Sequence, residues 1–161
     1  MAIVASRWNT VYEALLALFK ADTSLATAGV YVSDGIPISE DRFLNMVIVG
    51  NMGDPTVNQA GSISQEYHDL AGTQSSRDET ILIDACIIAQ NGDSDLTAAR
   101  LAAFTTLNSV ESALRLNFTL GLRDVIRTEL RDANVYLDLF ADGAACRISF
   151  TIETTTLLTT I

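Results

Sequence analysis

The chain has 161 residues, 48% of them hydrophobic and 19% charged, with 20 acidic side chains against 10 basic ones and a formal charge of −10. A chain of this size buries roughly 70% of the surface its unfolded form exposes, so it acquires a core without a disulfide or a metal, and disorder of the whole chain is excluded. Basic residues outnumbered two to one by carboxylates make neither a basic face nor a polybasic tail, which excludes gripping nucleic acid through bulk charge.

Met1 to Ser6 carries no basic leader ahead of a long apolar run, and about eighteen apolar residues never follow one another without interruption. The expectation is a soluble protein made in the cytoplasm, with no membrane contact. Thr10-Val11-Tyr12-Glu13 has the T-x-x-E form of a capping box, and Ser6 offers a helix start one turn earlier. Trp8, Val11, Leu15 and Leu18 recur at three- and four-residue steps, with Tyr12, Leu16 and Phe19 widening the stripe, which predicts a helix ending near Lys20. Gly29 to Gly35 is a short β-branched and aromatic run closed by turn residues, a strand entering the loop with Pro37.

Met46 to Val49 is apolar on both faces and ends at Gly50, as a central strand does. From Asn51 to Ser76, Gly53, Gly61 and Gly72 are scattered among Asn, Gln, Ser and Thr with no apolar period. Ordinary connections run about 4–6 residues, so this stretch reads as a flexible loop or arm, with two readings left open: an interaction element or surface disorder. Its polar side chains Asn51, Asp54, Gln59, Gln65, Glu66, His68 and Asp69 are the candidate partner-docking residues.

Between Glu79 and Gln90, Ile81, Ile83, Ala85 and Ile87 fill one face and Leu82, Cys86 and Ile88 the other, so this strand lies inside a sheet. Asp84 interrupts the second face; it is either a partly solvated aspartate at a sheet–helix margin or the partner of an arginine at a subunit boundary. After the turn Asn91-Gly92-Asp93-Ser94, the stripe Leu96, Ala99, Ala103, Leu107, Val110 and Leu114 predicts a helix to Arg115, roughly 30 Å long. Val125-Ile126 and then Val135, Leu137 and Leu139 are strand-like. Asp142-Gly143 suits a tight hairpin, and Cys146, Ile148, Phe150 and Ile152 alternate with polar residues, giving an antiparallel hairpin with one face buried. Thr154 to Ile161 either prolongs this strand or pairs with a neighbouring molecule. The whole is a single α+β domain over 1–161: a mostly antiparallel sheet with two helices packed on it and a long polar loop between strands, 51–76.

Chemistry is poorly supplied. There is one histidine, His68, and no CxxC, and the two cysteines, Cys86 and Cys146, sit in strand-like apolar runs where a thiol behaves as a small hydrophobe. No G-x-S-x-G elbow, phosphate-binding loop or G-x-G-x-x-G is present. A metal site at Glu66, His68 and Asp69 is weaker than three solvated loop residues. No enzyme activity, cofactor or metal is expected, and an α+β ligand cleft ranks below a binding role. The patterned charge is Arg123, Asp124, Arg127, Glu129, Arg131 and Asp132. On a strand Arg123, Arg127 and Arg131 share a side, placing them either at a subunit interface, with Asp84 as a candidate acid, or on a solvated face with internal pairs.

The element order, with Val11-Tyr12-Glu13-Ala14-Leu15-Leu16, Val32-Ser33-Asp34-Gly35 before Pro37, Val47-Ile48-Val49-Gly50, Arg77-Asp78-Glu79, Thr119-Leu120-Gly121 and Gly143 ahead of the alternating strand from Ala145, resembles the tail terminator and tail-to-head joining proteins of long, non-contractile-tailed phages. The likeness spans nearly the whole chain and departs at Leu122, where relatives often carry a second glycine. It implies a small α+β domain that forms a ring with itself, a hexamer, on the last ring of tail tube protein. Such a protein stops tube growth and offers a surface to the head completion or connector protein, at the head-proximal end of the tail in the virion. DNA only passes through the channel, and acidic walls suit that passage. A head-completion or neck protein of the same virion is the alternative.

Overall fold

A computed structural model describes residues 5–37, 44–68 and 76–159. Helix α1, Trp8–Ala21, turns Val11, Tyr12, Leu15, Leu16 and Phe19 inward. It starts where Ser6 offered: the Ser6 hydroxyl accepts from the Trp8 N–H at 3.0 Å, so the later capping box at Thr10 is not used. The chain leaves α1 at Asp22, whose carboxylate accepts from the Leu25 N–H at 2.9 Å and so caps a second, five-residue helix, α2, Thr23–Thr27. A helix that short shows no period in the sequence, which is why only two helices are legible there. The third helix, α3, Leu96–Leu116, is capped by Asp95, whose carboxylate accepts from the Ala98 N–H at 3.0 Å.

The strands are β1 (Tyr31–Asp34), β2 (Asn45–Val49), β3 (Gly61–His68), β4 (Ser76–Asn91), β5 (Val125–Phe140) and β6 (Gly143–Thr159). They form one six-stranded sheet in the order β1-β2-β4-β6-β5, with β3 also on β4. Among the described residues β1 and β2 are parallel to each other and the other pairs are antiparallel. The long β4 is shared along one edge: Ala85–Ala89 pair with β2, and Ser76–Ile83 pair with β3. The fold is α+β, as the sequence predicts.

Strand alternation gives the sheet two different faces. Ile81, Ile83, Ala85, Ile87 and Ala89 of β4 and Cys146, Ile148, Phe150 and Ile152 of β6 join Val11, Leu15, Val110 and Leu114 in the main core beneath the helices. Each large aliphatic side chain buried there contributes about 1.5–3 kcal/mol relative to exposure. Among the described residues the opposite face has a small apolar cluster, Met46, Ile48 and Cys86 with Ile88 beside it.

Two expectations change. The stretch 51–76 is not one loop, because Gly61–His68 is a strand and β4 already begins at Ser76. Most of the side chains of β3 are exposed on both faces, so the strand carries no apolar alternation to read. Strand β5 runs through a bulge between Arg131 and Asn134, where Asp132 adopts φ +34°. Secondly, only the β6 half of the hairpin is buried; Val135, Leu137 and Leu139 of β5 remain 46%, 47% and 63% exposed. Of the tail 154–161, Thr154 to Thr159 prolong β6 and pair within the molecule, Thr159 lying opposite Ser76, and the last two residues lie outside the described residues.

Candidate functional site

The connection from β2 to β3, residues 50–60, folds back across the helix-free face and is organised by one side chain. Asn51, 7% exposed, accepts from the Gly53 and Asp54 N–H groups at 2.6 and 3.0 Å and donates to the carbonyls of Val57 and Asp54 at 2.8 and 3.3 Å. Asp54 accepts from the Thr56 N–H and hydroxyl at 2.8 and 2.6 Å, and these bonds, helped by Arg147, lower its pKa. Gly53, at φ +83°, sits where a Cβ would lie 2.8 Å from Arg147 Cδ and 2.9 Å from Cys86 Sγ. Arg147 in turn donates to the Met52 carbonyl at 3.0 Å and stacks 4.2 Å above the Tyr136 ring, tying the connection to β5. Of the expected docking residues here, Asn51 is internal scaffolding, Asp54 is half-buried and Gln59 is exposed.

The other expected docking residues lie on the arm formed by β3 and the start of β4. Gln65 faces the helix side and donates to the Ala5 carbonyl at 2.8 Å and to the Glu79 carboxylate at 2.6 Å. Glu66 is exposed on the opposite side. His68 lies 2.9 Å from the Asp78 carboxylate, and that hydrogen bond raises its pKa. Asp69 is outside the described residues, so the expected Glu66, His68 and Asp69 grouping is not described as a unit.

Arg127 and Arg131 do share a side of β5, the helix-free one, but Glu129 stands between them and takes a bond from each, at 2.6 and 2.7 Å; Arg131 also reaches Glu153 at 3.2 Å. These exposed pairs contribute about 0.2–1 kcal/mol each. Arg123 precedes β5 and lies apart, beside a hollow shared with Arg7, Asp124, Ile126 and Leu157. Asp84, 8% exposed, occupies the cross-strand row Asp84, Thr151, Arg131. Its near partner is the Thr151 hydroxyl at 3.5 Å, and burial raises its pKa. The structure therefore brings Arg127, Arg131 and Asp84 onto one face and separates them from Arg123.

Among the described residues no three His, Cys, Asp or Glu side chains are placed to hold a metal ion. Both cysteines are free and buried, and burial pushes the Cys86 thiol up to about 12. An open hollow of about 520 Å³ beside the hairpin turn is lined by Leu44, Gln90, Asn91, Phe140 and Asp142, a set with no nucleophile and base in hydrogen-bond reach. No helix among the described residues is long and apolar enough to cross a membrane.

The features the sequence reading missed are Glu79, Arg147 with Tyr136, and the bare outer half of β5. Glu79 was detectable: it shares the parity of Ile81 and Ile83, which places a carboxylate on the core face. The β5 exposure was not, because alternation shows that one face is apolar and not whether anything covers it.

No protein-family model and no curated protein matches the chain. Among solved structures, the fold is similar to that of a chain in the virion of a native gene transfer agent particle, with a TM-score of 0.55 and 17% sequence identity, covering 92% of this chain and 95% of that one.

Proposed function

We propose that this chain is a structural subunit of a phage-like virion. It forms a ring, a hexamer, at the head-proximal end of the tail, stops growth of the tail tube and gives the head connector its docking surface. The observation that carries this reading is the shared fold with a virion chain over nearly the full length of both molecules. Sequence order resembling tail terminators points the same way, and so does a sheet with long exposed edges. The protein acts by complementary binding and makes or breaks no bond.

The arm of β3 and β4 takes the docking role that the sequence assigns to 51–76, because the first part of that stretch is fastened to its own sheet through Asn51. The net charge of −10 suits a conduit wall that repels DNA phosphates over a screening length of about 8 Å. Removing the gene should give tails of uncontrolled length or tails that never join heads. Normal infectious particles from the deletion contradict the role. Co-purification with isolated heads and not with tails places the protein instead on the portal side, as a neck protein.

A further inference from the structure

The outer half of β5 carries an apolar row without a cover. From 132 to 140 every residue is exposed, although the β6 strand beside it is almost entirely buried. Val135, Leu137 and Leu139 stand opposite Ile148, Cys146 and Ala144, so they lie on the helix side of the sheet. Helix α3 runs past without covering them. Its Glu111 and Arg115 meet β5 at residues 127–130, and Arg100 acts on the Cys146 thiol, so the flank of the helix that carries Phe104, 38% exposed, borders the apolar row. These four side chains leave on the order of 100 Å² each uncovered, enough for the apolar centre of an interface of about 800 Å² per partner.

The opposite edge of the sheet has a hollow at the same level. There β1 stands two strands out from β4 and β3 only one, so β1 is the foremost strand. An open hollow of about 330 Å³ beside it is lined by Phe19 and Lys20 of α1, Ala26 of α2, and Val30, Tyr31 and Val32. Phe19 and Val32 belong to the main core and Val30 packs against it, so the hollow lies on the helix side. One cross-strand row, Val32, Val47, Ile87, Ile148 and Val135, runs from this edge to the other. Rotation about an axis along the strands keeps every residue at its level, so it brings Val32 of one copy to the height of Val135 of the next, with the helix sides of both sheets aligned. Because β1 and β5 run in opposite directions, Val30 then comes level with Leu137. The charges also match: 132–140 holds Asp132 and Asp138 and no basic residue, while the hollow is lined by no acid and by Lys20, the one lysine of the chain.

We infer that the hollow beside β1 receives the apolar row of β5 from a second copy of this chain, with Leu137 of one copy against Ala26 and Val30 of the next and Lys20 facing the acidic segment 132–140. The contact is made by side chains. It is head-to-tail and uses two different surfaces, which is the arrangement a ring requires. The inference rests on the ring reading above and names the surfaces that join.

The test uses the full-length protein with Leu137→Lys and Ala26→Glu, both at exposed positions, and a mixture of Leu137→Cys with Ala26→Cys treated with a short bismaleimide. Buried Cys86 and Cys146 make the wild type the unreactive control. The expected result is a discrete wild-type oligomer by sedimentation velocity, loss of at least tenfold in association for each charged variant with an unchanged far-UV circular dichroism spectrum, and a crosslink in the mixture only. Wild-type oligomer persisting in both charged variants overturns this contact while leaving a ring intact. Crosslinking of Leu137→Cys with itself alone shows a two-fold pairing and also overturns it, as does a monomer that yields no crosslink at any concentration. Surfaces that join as described in a protein absent from purified particles refute the virion reading and leave this one standing.

Discussion

The backbone N–H of Arg7 donates to the carboxylate of Glu79 at 2.7 Å, joining residues 72 apart in sequence. Glu79 has no exposed surface, and its other oxygen accepts from Gln65 at 2.6 Å. One acid thus fixes the entry to α1, the start of β4 and the arm strand β3, while satisfying an N–H next to a helix start whose own first-turn donors have no intrahelical acceptor.

Glu79→Ala removes an acceptor from two half-buried donors and should cost about 1–3 kcal/mol of stability, with the larger local effect at residues 5–8 and on β3. Urea denaturation gives the first quantity and amide exchange the second. Unchanged exchange at Arg7 and along β3 would show that the carboxylate holds neither.

Asn51 is the keystone of the β2–β3 connection through its four bonds to Gly53, Asp54 and Val57. In Asn51→Ala the Gly53 and Asp54 amides lose their acceptor, so their exchange should accelerate by at least tenfold, the loop should leave the helix-free face, and stability should fall by about 1–2 kcal/mol. Core amides of β4 and β6 should be protected as before once the global change is subtracted.

The pH dependence of the arm follows from His68. Hydrogen bonding to Asp78 raises the folded pKa above the ordinary 6.5. A histidine shifted this way contributes stability that is fully present below the unfolded pKa and lost as pH rises through the folded one, so the arm should hold more firmly at pH 5.5 than at pH 8. Titration by NMR should give a His68 pKa above 6.5 that falls back in Asp78→Asn. A value at or below 6.5 in the wild type contradicts the pairing.

Cys86 and Cys146 are buried and unpaired, and the Cys86 thiol is pushed up to about 12, so almost no thiolate exists near neutrality. A thiol reagent at pH 8 should label neither residue in the folded protein and both after unfolding in urea. Labelling of one native cysteine at the rate of a free thiol would show that the sheet opens there.

How far the sequence reveals this molecule depends on what each pattern encodes. Helices α1 and α3 and strands β4 and β6 are legible because each buries a periodic apolar face in the core; α2 and β3 are not, one being a single capped turn and the other exposed on both sides. For the candidate site the shared side of Arg127 and Arg131 is readable from parity. Their neutralisation by Glu129 and Glu153 is partly so, since Glu129 lies within the same segment while Glu153 arrives from β6. The folding of Asn51 onto its own loop is invisible, because an asparagine that organises a loop and one that greets a partner look alike in a string of polar residues.

The central claim is that this protein is a fixed ring at the head-proximal end of a tail. The most direct measurement is electron cryomicroscopy of purified particles carrying an antibody fragment against the chain, together with its copy number by quantitative mass spectrometry. The account predicts one ring of label at the junction of tail and head and six copies per particle. Label spread along the tail or over the head, or a chain absent from washed particles, would contradict it.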